Sequence, residues 1–268
     1  MTNRVKNRYN QYEKIKKDRK LMIKNDSLRF AEARRAALSE NQEKIGIGTL
    51  GEKLLHRIIK FYIEPDPYHH EIPILGSVVD VFSEEEIFEI QTCAFTRLVP
   101  KLRRLLPEHK ITVVYPLAAK KTLSWLDPET GELTPPRKSP KRERAQDALP
   151  ELSAIKEFIG NENLTVVLLF LDVSEYKRLD GWDSSGKRGA TKIDKIPNGI
   201  TEVITLKSKE DYRALIPKGL PSEFVADEFY KTLYRKRRGA FFALRFLIYL
   251  GLVAERGRSG RAKLYKIT

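Results

Sequence analysis

The apolar residues between positions 46 and 117 change their spacing along the chain, from the period of a helix to short strand-like runs. An apolar residue at each helical turn predicts a helix from Thr49 to Ile63. The segments that follow predict three strands at 71–75, 78–82 and 87–91, a helix at 97–106 and a strand at 111–115. This order of elements indicates an α/β domain built on a mixed sheet.

Residues 118–216 combine one strongly apolar segment with long polar stretches. Leu164–Val173 is apolar throughout and predicts a central strand. The proline-rich residues 127–150 predict an exposed hairpin or loop insertion, and the Gly, Ser, Lys and Asp content of residues 174–200 predicts a long loop. With a boundary near Pro217–Pro221, the chain divides into a basic, mostly helical arm at 1–45, the α/β domain at 46–216 and a C-terminal domain at 217–268.

The C-terminal domain has a pattern of its own. Its predicted elements are a short helix at Phe224–Leu233, a longer helix at Arg235–Leu250 and two strands at Leu252–Arg256 and Ala262–Ile267. The buried side of the longer helix is predicted to consist of Phe241, Leu244, Leu247 and Ile248. Helix, turn, helix and hairpin is the order of a winged helix, whose second helix enters the major groove of DNA. The alternative is a module of this shape used only for packing or protein contact.

The charge of the chain is concentrated at its two ends. The net charge is +14, of which residues 1–45 carry +7 and residues 231–268 carry +10, whereas the residues between them carry −3. Such ends favour a polyanionic partner, most often nucleic acid, over the alternative of a merely solubilising surface. The residues predicted to contact DNA are Arg235, Lys236, Arg237, Arg238, Arg256, Arg258 and Arg261.

Several other classes of protein are disfavoured. The single cysteine, Cys93, excludes an internal disulfide and a cysteine-rich zinc site. The most apolar stretch, from Ala240 to Val253, is too short to span a bilayer and contains Arg245. The first residues show no apolar run of the signal-peptide type. We therefore expect a cytoplasmic protein with no membrane partner.

Two acidic residues lie on neighbouring predicted strands. A symmetric turn centred between Glu84 and Glu85 places Asp80 directly opposite Glu89. Carboxylates that face each other repel, so the arrangement is costly without a cation, and hard oxygen ligands suit Mg²⁺ or Mn²⁺. The alternative is an ordinary hairpin with outward polar residues. Glu52, on the preceding helix, also fits a capping box with Thr49.

These residues resemble the motif of the PD-(D/E)XK nuclease superfamily, with Asp80 followed by Glu89-Ile90-Gln91 and with Glu52 on the helix before them. The resemblance implies a restriction-endonuclease-like core with a mixed sheet, joined here to a C-terminal winged helix. It implies that Asp80, Glu89 and the carbonyl of Ile90 bind Mg²⁺ or Mn²⁺, that Gln91 orients the attacking water, and that Glu52 is an auxiliary ligand.

The resemblance covers roughly residues 46–117, and the sequence departs from the family pattern at one position. Gln91 stands where the family usually has lysine, and glutamine carries no charge. Arg97 or Lys101 on the next predicted helix could supply the missing charge.

The sequence leaves three functions open. The first is a metal-dependent DNA endonuclease in which the winged helix holds the duplex, similar in arrangement to restriction and transposon-end nucleases. The second is a catalytically inactive DNA-binding protein on the same scaffold. The third is an interaction module whose basic ends bind acidic proteins. Cutting both strands of a duplex requires two sites, which is compatible with a homodimer, although no motif specifies one.

Overall fold

The computed structural model describes residues 23–39, 51–180, 191–233 and 237–268, with the side chains of residues 51–53 and of Arg237 excepted. Six α-helices are assigned in these ranges: α1 Ser27–Ser39, α2 Gly51–Ile63, α3 Val99–Leu105, α4 Leu149–Leu152, α5 Ala226–Thr232 and α6 Arg237–Tyr249. The strands are β1 His70–Ile74, β2 Ser77–Ser83, β3 Glu86–Ile90, β4 Lys110–Leu126, β5 Arg137–Lys138, β6 Leu164–Arg178, β7 Thr191–Leu206, β8 Glu223–Val225, β9 Val253–Ser259 and β10 Ala262–Ile267. The predicted α/β class and mixed sheet are confirmed.

The large sheet has the strand order β1-β2-β3-β4-β6-β7, and β5 pairs with β4. The pairs β3–β4 and β4–β6 are parallel, whereas β1–β2, β2–β3 and β6–β7 are antiparallel. Helices cover both faces. The core on one face lies beneath α1 and α2, and the core on the other lies beneath α3, α4 and the C-terminal residues. Strands β4 and β6 lie in the middle of this sheet and are apolar where helices cover them on both faces.

The prediction of a long loop at residues 174–200 is wrong for 174–178 and 191–200, and its middle, 181–190, lies outside the described residues. Strand β6 continues to Arg178 and β7 begins at Thr191, so the two strands pair far beyond the apolar segment. Polar residues remain in these strands because their charges are paired: the buried carboxylate of Glu175 lies 3.0 Å from Lys121 on β4. The predicted proline-rich insertion contains the short strand β5, and its Asp127–Gly131 turn is closed by a backbone hydrogen bond.

The tail, residues 217–268, folds into the strand β8, the helices α5 and α6, and the β9–β10 hairpin. The three strands form a small sheet in the order β8-β10-β9. Its predicted helices and strands are present within a few residues, and β8 was not predicted. Phe241 was expected to face inward but is 49% exposed. The buried stripe of α6 instead follows Ala240, Ala243, Leu244 and Leu247, at the i, i+3, i+4, i+7 spacing that leaves position 241 outside.

The buried hydrophobic residues of the tail that the structure describes belong to the same hydrophobic core as one face of the large sheet. Helix α6 packs on α4 and on the 3₁₀ segment Ser153–Phe158, and its buried residues belong to the same cluster as Leu149 and Leu152. None of the helices in the described ranges combines the length and apolarity needed to cross a membrane.

Candidate metal centre

The β2–β3 hairpin brings the two predicted acidic residues onto adjacent strands. Its turn is formed by Glu84 and Glu85, both with positive φ, which is the conformation of the tight turns that match the twist of paired strands. Phe82 pairs with Ile87 and Val81 with Phe88. This is the register predicted from the sequence, and one further step along the strands leads to Asp80 and Glu89.

The regular alternation of side chains breaks at Asp80 on β2, and we call this irregularity the kink. Val79 belongs to the core beneath α3, whereas Val81, two residues later, belongs to the core beneath α2. In a regular strand these residues would share a face. On β1, Glu71 adopts a positive φ between the paired residues His70 and Ile72. The kink therefore takes the Asp80 side chain out of the regular alternation of the sheet.

The carboxylate of Asp80 is held by the end of β3 and by α2. Its Oδ2 atom accepts a 2.7 Å hydrogen bond from the backbone N–H of Ile90 and lies 3.2 Å from Nε2 of His56. The same His56 nitrogen lies 3.0 Å from the carbonyl oxygen of Ile90. Burial raises the pKa of Asp80, but the hydrogen bond and charge of His56 outweigh it, and the net pKa is lowered. Burial lowers the pKa of His56, and Asp80 raises it above its ordinary value.

The carboxylate of Glu89 is almost completely buried, at 3% exposure, and contacts the opposite helix layer. The Lys101 ammonium on α3 donates to both carboxylate oxygens at 2.8 Å and to the carbonyl oxygen of Val78 at 2.7 Å. Burial and the nearby charge of Asp80 raise the pKa of Glu89 to about 7, even though Lys101 lowers it. One lysine therefore does not fully compensate the acidic pair, Asp80 and Glu89.

The remaining predicted site residues occupy different positions. The Gln91 side-chain amide donates to the carbonyl oxygens of Cys93 and Ala94, in the loop after β3. Of the two basic residues proposed to supply charge, Lys101 reaches Glu89, whereas Arg97 is exposed. Glu52 lies in the first turn of α2, and its side chain is outside the described part of the structure.

Sequence reasoning missed His56. Its spacing of four residues from Glu52 was the available signal, because residues i and i+4 lie on one face of a helix. Within the described residues, no group of three or more His, Cys, Asp or Glu side chains converges in an arrangement that could hold a metal ion. The acidic pair and the Ile90 carbonyl are the oxygen donors assembled here.

The predicted DNA-contacting residues of the tail divide between two elements. Arg256, Arg258 and Arg261 are all exposed on the β9–β10 hairpin. Arg238 is exposed near the start of α6, with its guanidinium 6.0 Å above the ring of Phe242. Arg235 and Lys236 lie outside the described residues, as does the side chain of Arg237.

The chain is similar to one curated protein and matches one protein-family model. An uncharacterized protein of Treponema pallidum (strain Nichols) is 31% identical over 230 residues, which is 82% of this chain and 87% of the relative. No solved structure matches the chain. A family model described as "Domain of unknown function (DUF8091)" matches residues 53–207, which span the candidate metal centre and most of the large sheet. The chain therefore belongs to the DUF8091 family.

Proposed function

We propose that the protein is a divalent-metal-dependent DNA endonuclease with a PD-(D/E)XK-type core and a winged-helix tail. The observation that carries this proposal is the acidic pair on adjacent strands, in which Glu89 is buried with a pKa raised to about 7. Burying a carboxylate beside a second one destabilises a fold. A buried carboxylate with a strongly shifted pKa is typical of a functional site, and a bound cation would offset the cost of burying this pair.

The oxygen donors suit a hard divalent cation. Asp80 and Glu89 would hold Mg²⁺ or Mn²⁺ with the Ile90 carbonyl, whose oxygen has a second lone pair beside the one directed to His56. The bound ion supplies a water of lowered pKa and neutralises charge on the phosphate. The pair is a better fit than a lone carboxylate because it offers two groups of oxygen ligands, and because Lys101 does not outweigh the burial and the repulsion by Asp80 that raise the pKa of Glu89.

The chain's own residues prepare this site. The kink in β2 and the hydrogen bond from the N–H of Ile90 orient the Asp80 carboxylate, and the His56 side chain is its second contact. Lys101 provides the positive charge that the family usually places at the position of Gln91, and from α3 it can contact a phosphate oxygen when it leaves Glu89. Two interior strands of the sheet and two packed helices thus preorganise the reacting groups.

The tail is proposed to hold the duplex. Its strand, helix, helix and hairpin order supports a winged helix, with α6 as the helix that enters the major groove. The hairpin carries three exposed arginines that suit phosphate contacts. Because the tail shares the core of the large sheet, bound DNA would be oriented rigidly with respect to the acidic pair.

The test is cleavage of supercoiled plasmid DNA with Mg²⁺ or Mn²⁺ by the full chain. The variants Asp80→Asn and Glu89→Gln keep the size of each side chain, and Glu84→Gln in the turn of the same hairpin is the matched control. We expect each site variant to lose at least about 100-fold in rate, because the metal stabilises the transition state by several kcal/mol. The control should retain the wild-type rate. Equal rates in all four proteins would overturn the site assignment.

The contact of Lys101 with both oxygens of Glu89 favours a second candidate, an inactive DNA-binding protein on a nuclease-like scaffold. In that case the lysine permanently replaces the metal as the partner of Glu89. Salt-dependent DNA binding, with no cleavage in either metal, would support this function over the first. Absence of DNA binding at about 100 mM salt would contradict both.

A further inference from the structure

A second charged region lies at the far end of the large sheet, away from the acidic pair. A cavity of about 260 Å³ opens there between strands β4, β6 and β7 and residues 139–143 of the insertion. Five basic side chains line it: Lys121, Lys141, Arg142, Lys192 and Lys195. Two carboxylates accompany them, so the cavity has an excess of three positive charges. We call this region the basic cavity.

The strand register builds the floor of the basic cavity. Glu175 on β6 is the direct partner of Lys195 on β7, and Lys121 on β4 reaches Glu175 from the other side at 3.0 Å. Val173, two residues before Glu175, belongs to the core beneath α2. The floor therefore lies on the face of the sheet that carries α2, the helix that also places His56 beside Asp80.

The wall of the cavity comes from the segment after β5. Its backbone is bound to β4 through the N–H of Ser139 to the carbonyl of Lys121 and the N–H of Glu143 to the carbonyl of Ala118. The Glu143 carboxylate in turn accepts a 2.6 Å hydrogen bond from the N–H of Ala118. These bonds hold Arg142 at the rim on a fixed stretch of backbone.

The carboxylates of Glu143 and Glu175 do not neutralise all five basic side chains of the cavity. Glu175 is engaged by Lys121 and, at 3.5 Å, by Lys177, and Glu143 is engaged by the backbone. Lys195 forms no ion pair with any described carboxylate. Burial lowers its pKa, and the charges of Lys121 and Lys192 act in the same direction, while the charges of Glu143 and Glu175 only partly oppose them. A half-buried ammonium among like charges destabilises the empty protein, and an anion would relieve that cost.

We infer that the basic cavity is a phosphate-binding subsite. It would bind the backbone of a nucleic-acid strand at a distance from the candidate metal centre, while another part of the same nucleic acid lies at that centre. The inference rests on the proposed function for its distance argument. Ile90 at the end of β3 pairs with Val114, and Lys121 lies seven residues further along β4. At about 3.3 Å per residue the separation is about 23 Å, or about seven phosphates of one DNA strand at about 3.4 Å each. A duplex placed at the acidic pair can therefore reach the cavity.

The test compares two double variants of equal charge in the full chain. Arg142→Gln with Lys195→Gln removes two cavity charges but keeps Lys121 beside Glu175. Lys110→Gln with Lys218→Gln removes two exposed charges, one of them at the opposite end of β4. Binding of a labelled duplex of about 20 base pairs is measured without metal from about 50 to about 200 mM salt. Thermal unfolding of each variant verifies that it is folded.

We expect the cavity variant to bind about 10-fold more weakly at the lowest salt, with the slope of log affinity against log salt reduced by about 1 to 2. The control should keep the wild-type slope. Equal slopes in the two variants would overturn the inference. A second result would also overturn the inference: inorganic phosphate raises the unfolding temperature of the wild type but not of the cavity variant, while the two proteins bind DNA equally. The cavity would then bind a free phosphate compound rather than a nucleic-acid backbone. Plasmid cleavage by the cavity variant separates the two proposals: normal cleavage with an unchanged slope leaves the nuclease standing without this subsite.

Discussion

The buried carboxyl of Glu89 makes the stability of the protein depend on pH in a direction that can be worked out. Its pKa is about 7 in the folded protein and 4.5 when it is exposed. Below pH 4.5 the group is protonated in both states and has no effect. Between pH 4.5 and about 7 the unfolded chain releases the proton that the folded chain keeps, so stability falls as the pH rises.

The size of this effect follows from the two pKa values. At about 1.4 kcal/mol for each pH unit, the interval corresponds to about 3 kcal/mol of unfolding free energy. Glu89→Gln cannot ionise, so its stability relative to the wild type should rise by about 3 kcal/mol between acidic and neutral pH. The exposed Glu108→Gln is the control and should show no such change.

Urea unfolding of the three proteins at several pH values, in the absence of metal, measures this difference. The plot of unfolding free energy against pH for Glu89→Gln should separate from the wild-type plot as the pH increases from 4.5 to about 7. If the two curves stay parallel, Lys101 fully compensates the carboxylate, and the charge deficit that supports a cation site does not exist.

Three further expectations concern other parts of the molecule. In NMR titrations the pKa of His56 should lie above 6.5 and fall in Asp80→Asn, since Asp80 is what raises it; an unchanged value would contradict the contact. Phe246→Ala should destabilise the whole chain in a single transition, by about 3 to 5 kcal/mol, because this side chain lies in the core shared with the sheet. Loss of the tail alone would show two independent units. Arg258→Gln with Arg261→Gln should weaken DNA binding and reduce its salt slope by about 2 without changing the unfolding temperature, whereas an unchanged slope would exclude the hairpin from the interface.

The hairpin that carries the acidic pair could be predicted from local sequence. Two short apolar segments, 78–82 and 87–91, flank a short acidic link, and a symmetric turn centred between Glu84 and Glu85 fixes the register. The observed pairs Phe82–Ile87 and Val81–Phe88 follow that register. The approach of Lys101 was one of two alternatives, because Arg97 and Lys101 both lie on the helix predicted at 97–106 and the sequence does not show which of them reaches Glu89.

Features that depend on distant contacts could not be predicted. The kink at Asp80 reflects the packing of Val79 and Val81 into different cores, and α2 from elsewhere in the chain helps to assemble the core that contains Val81. The polar ends of β6 and β7 resemble a loop until the pairing of Glu175 with Lys121 is known. Likewise, Phe241 is apolar but falls outside the stripe of α6 that the sheet domain buries.

The measurement that most directly tests the central claim is anomalous scattering from crystals of the full chain grown with Mn²⁺. The account predicts an ion bound by carboxylate oxygens of both Asp80 and Glu89, with Lys101 displaced from at least one of the two Glu89 oxygens that it now contacts at 2.8 Å. The contrary result is a site with no anomalous peak at saturating Mn²⁺ and with Lys101 still in contact with both oxygens.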